Sequence, residues 1–244
     1  MSEFDDNSPF YTIKYVFKYG DGTEWVVPLR LDKSTFELVI DSKVEPKEWT
    51  ALEFNQCACC PLNKEEHPQC PAARGLSMFL ENFSDNLSHT DSKVAVITPE
   101  RTYYKETSLQ NGIYGIMGLA LATSGCPIFH PLKPMARFHL PFSTVEETLA
   151  RVLSFYLLQK FFQNKKDGCE DKINLDELNQ TYSDIDQVNK GLLERIRSVS
   201  KKDANQNALI VLDAYKMMLS GAISDNFEDL NEYLFPATNY SVNK

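Results

Sequence analysis

Three cysteines are each followed by proline: Cys60-Pro61, Cys70-Pro71 and Cys126-Pro127. Cys60 also closes a Cys57-x-x-Cys60 pair. Two thiolates at that spacing reach one ion from a single tight turn, and two further ligands complete a tetrahedron. Cys70 is the natural third ligand. Cys126 is the natural fourth, because it stands at a break between a helix and a Pro-rich loop. The expected metal set is therefore Cys57, Cys60, Cys70 and Cys126. Four thiolates suit zinc or an iron–sulfur cluster equally by ligand type. Proline after a ligand cysteine removes an N–H and stiffens the ligand loop, a feature common beside iron–sulfur clusters and found at zinc sites too.

Other readings of the same residues stay open. Free cysteine is often simply buried. Thiol redox chemistry of the thioredoxin kind needs its pair at the start of a helix that follows a strand, whereas here the pair follows an irregular stretch. Cys59 sits inside the pair as a bystander, or exchanges with Cys57 or Cys60. Cys169 lies in a charged linker and reads as a free surface thiol. His67, three positions before Cys70, or His139 could replace one cysteine, although Pro68 marks His67 as a loop residue. Arg137 and His139 form the second candidate group, a cofactor- or ligand-binding pair. His139 could orient a thiolate as an outer partner or hold an anion with Arg137, and a satisfied core histidine fits the same residue. Phosphate loop, dinucleotide fingerprint, nucleophile elbow and His-Glu-x-x-His are all missing.

The elements that must position these residues read as an α+β fold. Residues 1–9 look like a disordered tail, 10–108 a β-rich part carrying the cysteine loop, and 109–244 a mainly helical part. Residues 10–41 read as an antiparallel three-stranded meander, with strands over Tyr11–Lys18, Glu24–Leu31 and Thr35–Ile40 and a turn at Gly20-Asp21-Gly22. Pro71 opens a helix whose apolar positions run to Phe83. Lys93–Thr98 and Arg101–Thr107 read as a strand pair, and Leu109–Thr123 as a buried helix ended at Gly125. Ser143 and Glu146 suggest a capping box. Two long helices follow, one from about Leu175 to Lys201 with a stripe at Ile185, Val188, Leu192, Ile196 and Val199. The other runs from about Asp203 to Ser220, and its apolar character nearly all round suggests a central position.

A net charge of -9 repels a phosphate backbone, so nucleic acid is not the expected partner. Ile113–Ser124, the longest nearly apolar stretch, is too short to span a bilayer, so no membrane is expected. The acidic, polar start Met1-Ser2-Glu3-Phe4 lacks the pattern of a secretory signal. We read a cytoplasmic protein, in which free thiols are more natural than disulfides.

Gln56-Cys57-x-x-Cys60-Pro61-Leu62, Cys70-Pro71-Ala72-Ala73, Ala122-Thr123-Ser124-Gly125-Cys126-Pro127 and Met135-Ala136-Arg137-Phe138-His139-Leu140-Pro141-Phe142 together resemble a family of uncharacterised bacterial proteins. The resemblance implies a bacterial source and carries no activity. The residues themselves lead us to expect a cytoplasmic zinc scaffold that serves protein-partner or small-ligand binding, with the C-terminal helices offering a homodimer or partner face. The alternatives are an iron–sulfur redox or sensor protein and an enzyme with a pocket around residues 126–142.

Overall fold

Alternating side chains put Ile13, Tyr15 and Phe17 on one face of the first strand, and all three are fully buried. That strand, β1 (Phe10–Tyr19), pairs antiparallel with β2 (Glu24–Asp32) across the Gly20-Asp21-Gly22 turn, where Gly22 takes a φ of 87°. The computed structural model describes residues 5, 7–41, 43–168 and 174–235. Residues 1–4 and 6 of the expected tail, and Cys169, lie outside the described residues.

The expected strand over Thr35–Ile40 does not form; Leu38 makes only an isolated bridge to Leu31. Turn chemistry overrides β-propensity here. The Asp32 carboxylate accepts hydrogen bonds from the backbone N–H groups of Ser34 and Thr35, and Phe36 enters the left-handed region at φ 56°. The other edge of β1 is taken by β3 (Asp91–Ile97), which pairs in turn with β4 (Thr102–Ser108). The sheet order β2-β1-β3-β4 is thus two hairpins side by side rather than a meander.

One face of the sheet is covered by α2 (Leu109–Ala122), whose Leu109, Ile113, Ile116 and Met117 are fully buried. Close approach is possible because of Gly112: a Cβ there would lie 2.6 Å from Phe17 and 2.9 Å from Val94. Before the sheet resumes, α1 (Pro71–Ser77) stops short of the expected end, and a separate 3-10 turn follows over Leu80–Phe83. The break at Phe79 lets the Phe83 ring meet Phe17 edge-on at 4.9 Å, and Asn205 donates to the Leu80 carbonyl. After α2 come a 3-10 turn (Pro127–Leu132) and the short α3 (Lys133–Arg137).

The remaining helices are α4 (Val145–Asp167), α5 (Asp176–Val199), α6 (Ala204–Ser224) and α7 (Glu228–Leu234). The chain divides into two compact units. The first holds residues 1–142 and 184–213, the second 143–183 and 214–244. In the second unit the capping box is one residue later than the sequence suggested. Thr144 Oγ1 accepts from the Glu147 N–H, and the Glu147 carboxylate accepts from the Thr144 N–H. The motif is degenerate because Glu146 and Glu147 both follow a Ser-Thr pair. In the same unit, α4 leaves Leu158, Phe161 and Phe162 exposed. The central position expected of α6 is met on one side only: Ala204, Ala208, Leu209, Leu219 and Ile223 are buried, while Ile210, Met217 and Met218 are exposed.

Among the described residues no single helix is long and apolar enough to cross a membrane. One bent pair, α2 with Pro127–Arg137, passes by length and composition, but α2 is packed on the sheet.

Two substitutions test this packing and capping. Gly112→Ala gains about 1 kcal/mol of helix propensity but forces overpacking that costs about 1–3 kcal/mol. Urea unfolding is expected to show a net loss; a stabilised variant would mean the Phe17 contact is looser than described. Thr144→Ala should lose about 1 kcal/mol, while Ser143→Ala should stay within about 0.5 kcal/mol. The reverse order in thermal melts would restore the earlier frame.

Candidate metal centre

Cys70 is placed by backbone on both sides. Its N–H donates to the Thr50 carbonyl at 2.8 Å, Gln69 bridges Ala51, and Pro71 begins α1 directly after it. α1 lies against the end of α2: a Cβ on Gly75 would sit 3.5 Å from the Ala120 carbonyl and 3.6 Å from Ser124. Two residues beyond Ser124, the Cys126 N–H donates to the Ser124 hydroxyl at 3.2 Å. Packing of α1 on α2 thus carries Cys126 to the Cys70 side of the unit.

The Cys57–Cys60 loop is held from the other direction. The Cys60 N–H donates to the Cys57 carbonyl at 3.0 Å, closing the tight turn. The loop rests on α5, where a Cβ on Gly191 would lie 3.1 Å from the Cys57 sulfur and 3.0 Å from the Asn55 carbonyl. A side chain there would force the turn to give by a few tenths of an ångström. The Cys59 sulfur lies 3.5 Å from the Asp184 carbonyl, as a bystander would.

The sulfurs sense one another. Burial, then the neighbouring thiols Cys70, Cys59, Cys60 and Cys126, push the Cys57 thiol up to about 12. Burial, with Cys70 and Cys60 acting in the same direction, pushes Cys126 up to about 11 against backbone N–H groups that lower it. All five described cysteines are free thiols, and four come from the expected ligand set. The structure therefore brings Cys57, Cys60, Cys70 and Cys126 into one neighbourhood. It does not bring them into coordination: among the described residues, no three His, Cys, Asp or Glu side chains are grouped closely enough to hold an ion as they stand.

Sequence reasoning missed Arg195. Its side chain is 1% exposed and is the one charged residue in the buried class among those described. Its guanidinium donates to the carbonyls of Trp49 (2.6 Å), Ala51 (2.8 Å) and Leu52 (2.9 Å), while Nε is buried without an acceptor. Burial pulls its pKa below the ordinary arginine value, and Cys70, Cys57 and Cys60 act against that. No carboxylate pairs with it among the described residues. The available signal was its place on the α5 stripe, three positions after Leu192 and seven after Val188.

The second candidate group lies elsewhere in the first unit. Arg137 stacks over the rings of Tyr11 (5.3 Å) and Phe36 (5.0 Å). His139 Nε2 lies 2.6 Å from the hydroxyl of the fully buried Tyr15. Burial keeps that phenol protonated, its pKa well above the ordinary value, and the imidazole tautomer sets which of the two donates. His67 is exposed, with its N–H on the Asn63 carbonyl.

An antiparallel sheet covered by α2 and followed by a mainly helical part makes the chain an α+β protein. It belongs to the family described as a domain of unknown function (DUF6901), which matches residues 13–235. No curated protein and no solved structure matches it.

In the metal-free protein Cys57 and Cys126 should alkylate slowly at pH 8 and at the full rate once unfolded, because the thiolate is the nucleophile. Their folded pKa values lie above the unfolded value of 9.0, so stability is complete below pH 9 and falls as pH rises towards 11–12. Cys57→Ser should flatten that decline. Rapid alkylation of the folded chain at pH 8 would contradict the burial described.

Proposed function

We propose that the chain is a cytoplasmic metalloprotein in which Cys57, Cys60, Cys70 and Cys126 hold zinc as a structural centre. The reading is carried by the approach of Cys126, from the far end of α2, to the 57–70 loop. The donor chemistry fits: four sulfurs, a closed Cys-x-x-Cys turn, and a buried cation with no carboxylate paired to it among the described residues. Because the thiols are not yet at coordinating separation, loading requires the Cys57–Cys60 turn to close on Cys70 and Cys126. Zinc supplies cross-linking there and no redox step.

The metal would join the 49–70 segment, the start of α1 and the end of α2. Its binding free energy would then be folding free energy, since the unfolded chain holds no preformed site. The raised thiol pKa values support a structural centre over a thiol redox site, because a protonated thiol is a poor nucleophile. The exposed Leu158, Phe161 and Phe162 of α4 support a protein-partner face on the second unit. An iron–sulfur cluster on the same four cysteines is the competing assignment.

Elemental analysis of protein purified without oxygen decides between them. Colourless protein with stoichiometric zinc is expected. Brown protein containing iron and sulfide would replace zinc with a cluster. Serine at Cys57, Cys60, Cys70 or Cys126 should each release the metal, while Cys59→Ser and Cys169→Ser should retain it. Unchanged metal content across the first four variants would end the ligand assignment.

A further inference from the structure

We propose that the outer edge of β4 is a homodimer interface, along which a second copy of this chain continues the sheet. The inference does not depend on the metal reading. The two edges of the sheet differ. On β2 the even-numbered residues point their N–H and C=O groups away from β1, since the Tyr19 N–H bonds the Thr23 carbonyl and the pattern alternates from there. The chain closes that row itself. Pro28 has no N–H to donate, the Arg30 carbonyl accepts from Val39, and the Asp32 N–H donates to the Glu37 carbonyl. On β4 the Thr98 N–H bonds the Arg101 carbonyl at 2.9 Å, so Tyr103, Lys105 and Thr107 face β3. Thr102, Tyr104 and Glu106 then present their backbone groups outward. Among the described residues no backbone group pairs with that outward row. β4 contains no proline, is rich in strand-forming Thr and Tyr, and leaves Tyr104 58% exposed. An open row of this kind is a template for another strand.

The strand is complementary to itself. In a two-fold pair each side chain must stay on its own face of the sheet, so the axis passes through a residue. Of the frames that overlap most of β4, an axis at Lys105 sets two lysines against each other and one at Glu106 sets two glutamates. Like charges directly opposite are destabilising. An axis at Tyr104 avoids both. Tyr104 then meets its own copy, Tyr103 meets Lys105, and Thr102 meets Glu106. The outward N–H and C=O groups of residues 102, 104 and 106 bond those of 106, 104 and 102 in the second copy. Lys105 already lies 6.0 Å from the Phe142 ring on the face covered by α2, and Glu106 is held on the open face by Lys93 and the Tyr104 hydroxyl. Neither charge blocks the edge.

One added strand pair makes a small interface, so the dimer is weak and concentration-dependent. Sedimentation velocity on the full chain should show monomer at low protein concentration and dimer at high. Tyr104→Pro removes only an outward N–H, which leaves the β3–β4 ladder intact. It should melt like the wild type while the dimer weakens about 30-fold, because two symmetric donors are lost. Tyr104→Lys and Tyr104→Glu each place like charges together at the axis and should each sediment as monomer. An equimolar mixture of those two should recover the dimer, since lysine then faces glutamate. If Tyr104→Pro fails to fold, the charge pair decides by itself. A wild-type chain that stays monomeric at every concentration would overturn the proposal. So would a dimer indifferent to all three substitutions, which would move the contact to another face such as α4. A mixture no tighter than either charged variant alone would overturn it as well.

Discussion

Arg195 places a full positive charge inside the first unit, and the cysteine-bearing part of that unit is arranged around it. Burying an ion costs several kcal/mol unless its hydrogen-bonding groups are satisfied. Three carbonyls from Trp49, Ala51 and Leu52 accept from the guanidinium, each charge-assisted bond contributing about 1.5–3 kcal/mol. In return those bonds hold an irregular backbone segment that belongs to no strand or long helix. Cys70 pairs with that segment, and through Cys70 so does α1. The same helix that supplies Arg195 supplies Gly191 to seat the Cys57 turn. One helix face thus positions both arms of the candidate centre.

Beneath this, the sheet and α2 form the rigid base. Phe17, Val94 and Gly112 set how near the helix comes to the strands, and Tyr15 ties β1 to the 137–142 loop through His139. That loop carries Arg137 against aromatic rings. The residue types that looked suited to a ligand are thus also good at fastening a Pro-rich loop to a sheet. Arginine and histidine serve either purpose, because both combine a flat polar group with an apolar body.

Local signals were readable wherever a single element decides the outcome. The alternation in β1 and β2, the turn at Gly22, the β3–β4 hairpin, and the spans of α2, α5 and α6 all follow from nearest-neighbour chemistry. The cysteine spacing was readable for the same reason, since Cys57 and Cys60 share one turn. Errors came where two local signals compete. Thr35–Ile40 has strand-forming residues but also the Asp32 turn. The helix from Pro71 has continuous apolar spacing, yet the core needs Phe83 turned towards Phe17. Ser143 and Thr144 offer two frames for one cap.

Composition and periodicity were enough to define an acidic α+β chain and its main helices. Tertiary packing alone decided that β3 borders β1, that Thr35–Ile40 adds no strand beside β2, and that Arg195 is buried. The physical reason is range. Helical spacing and turns depend on residues a few positions apart, whereas the environment of a thiol or a guanidinium depends on segments more than a hundred positions away. Burial, and with it the balance of charge, exists only once those segments have met.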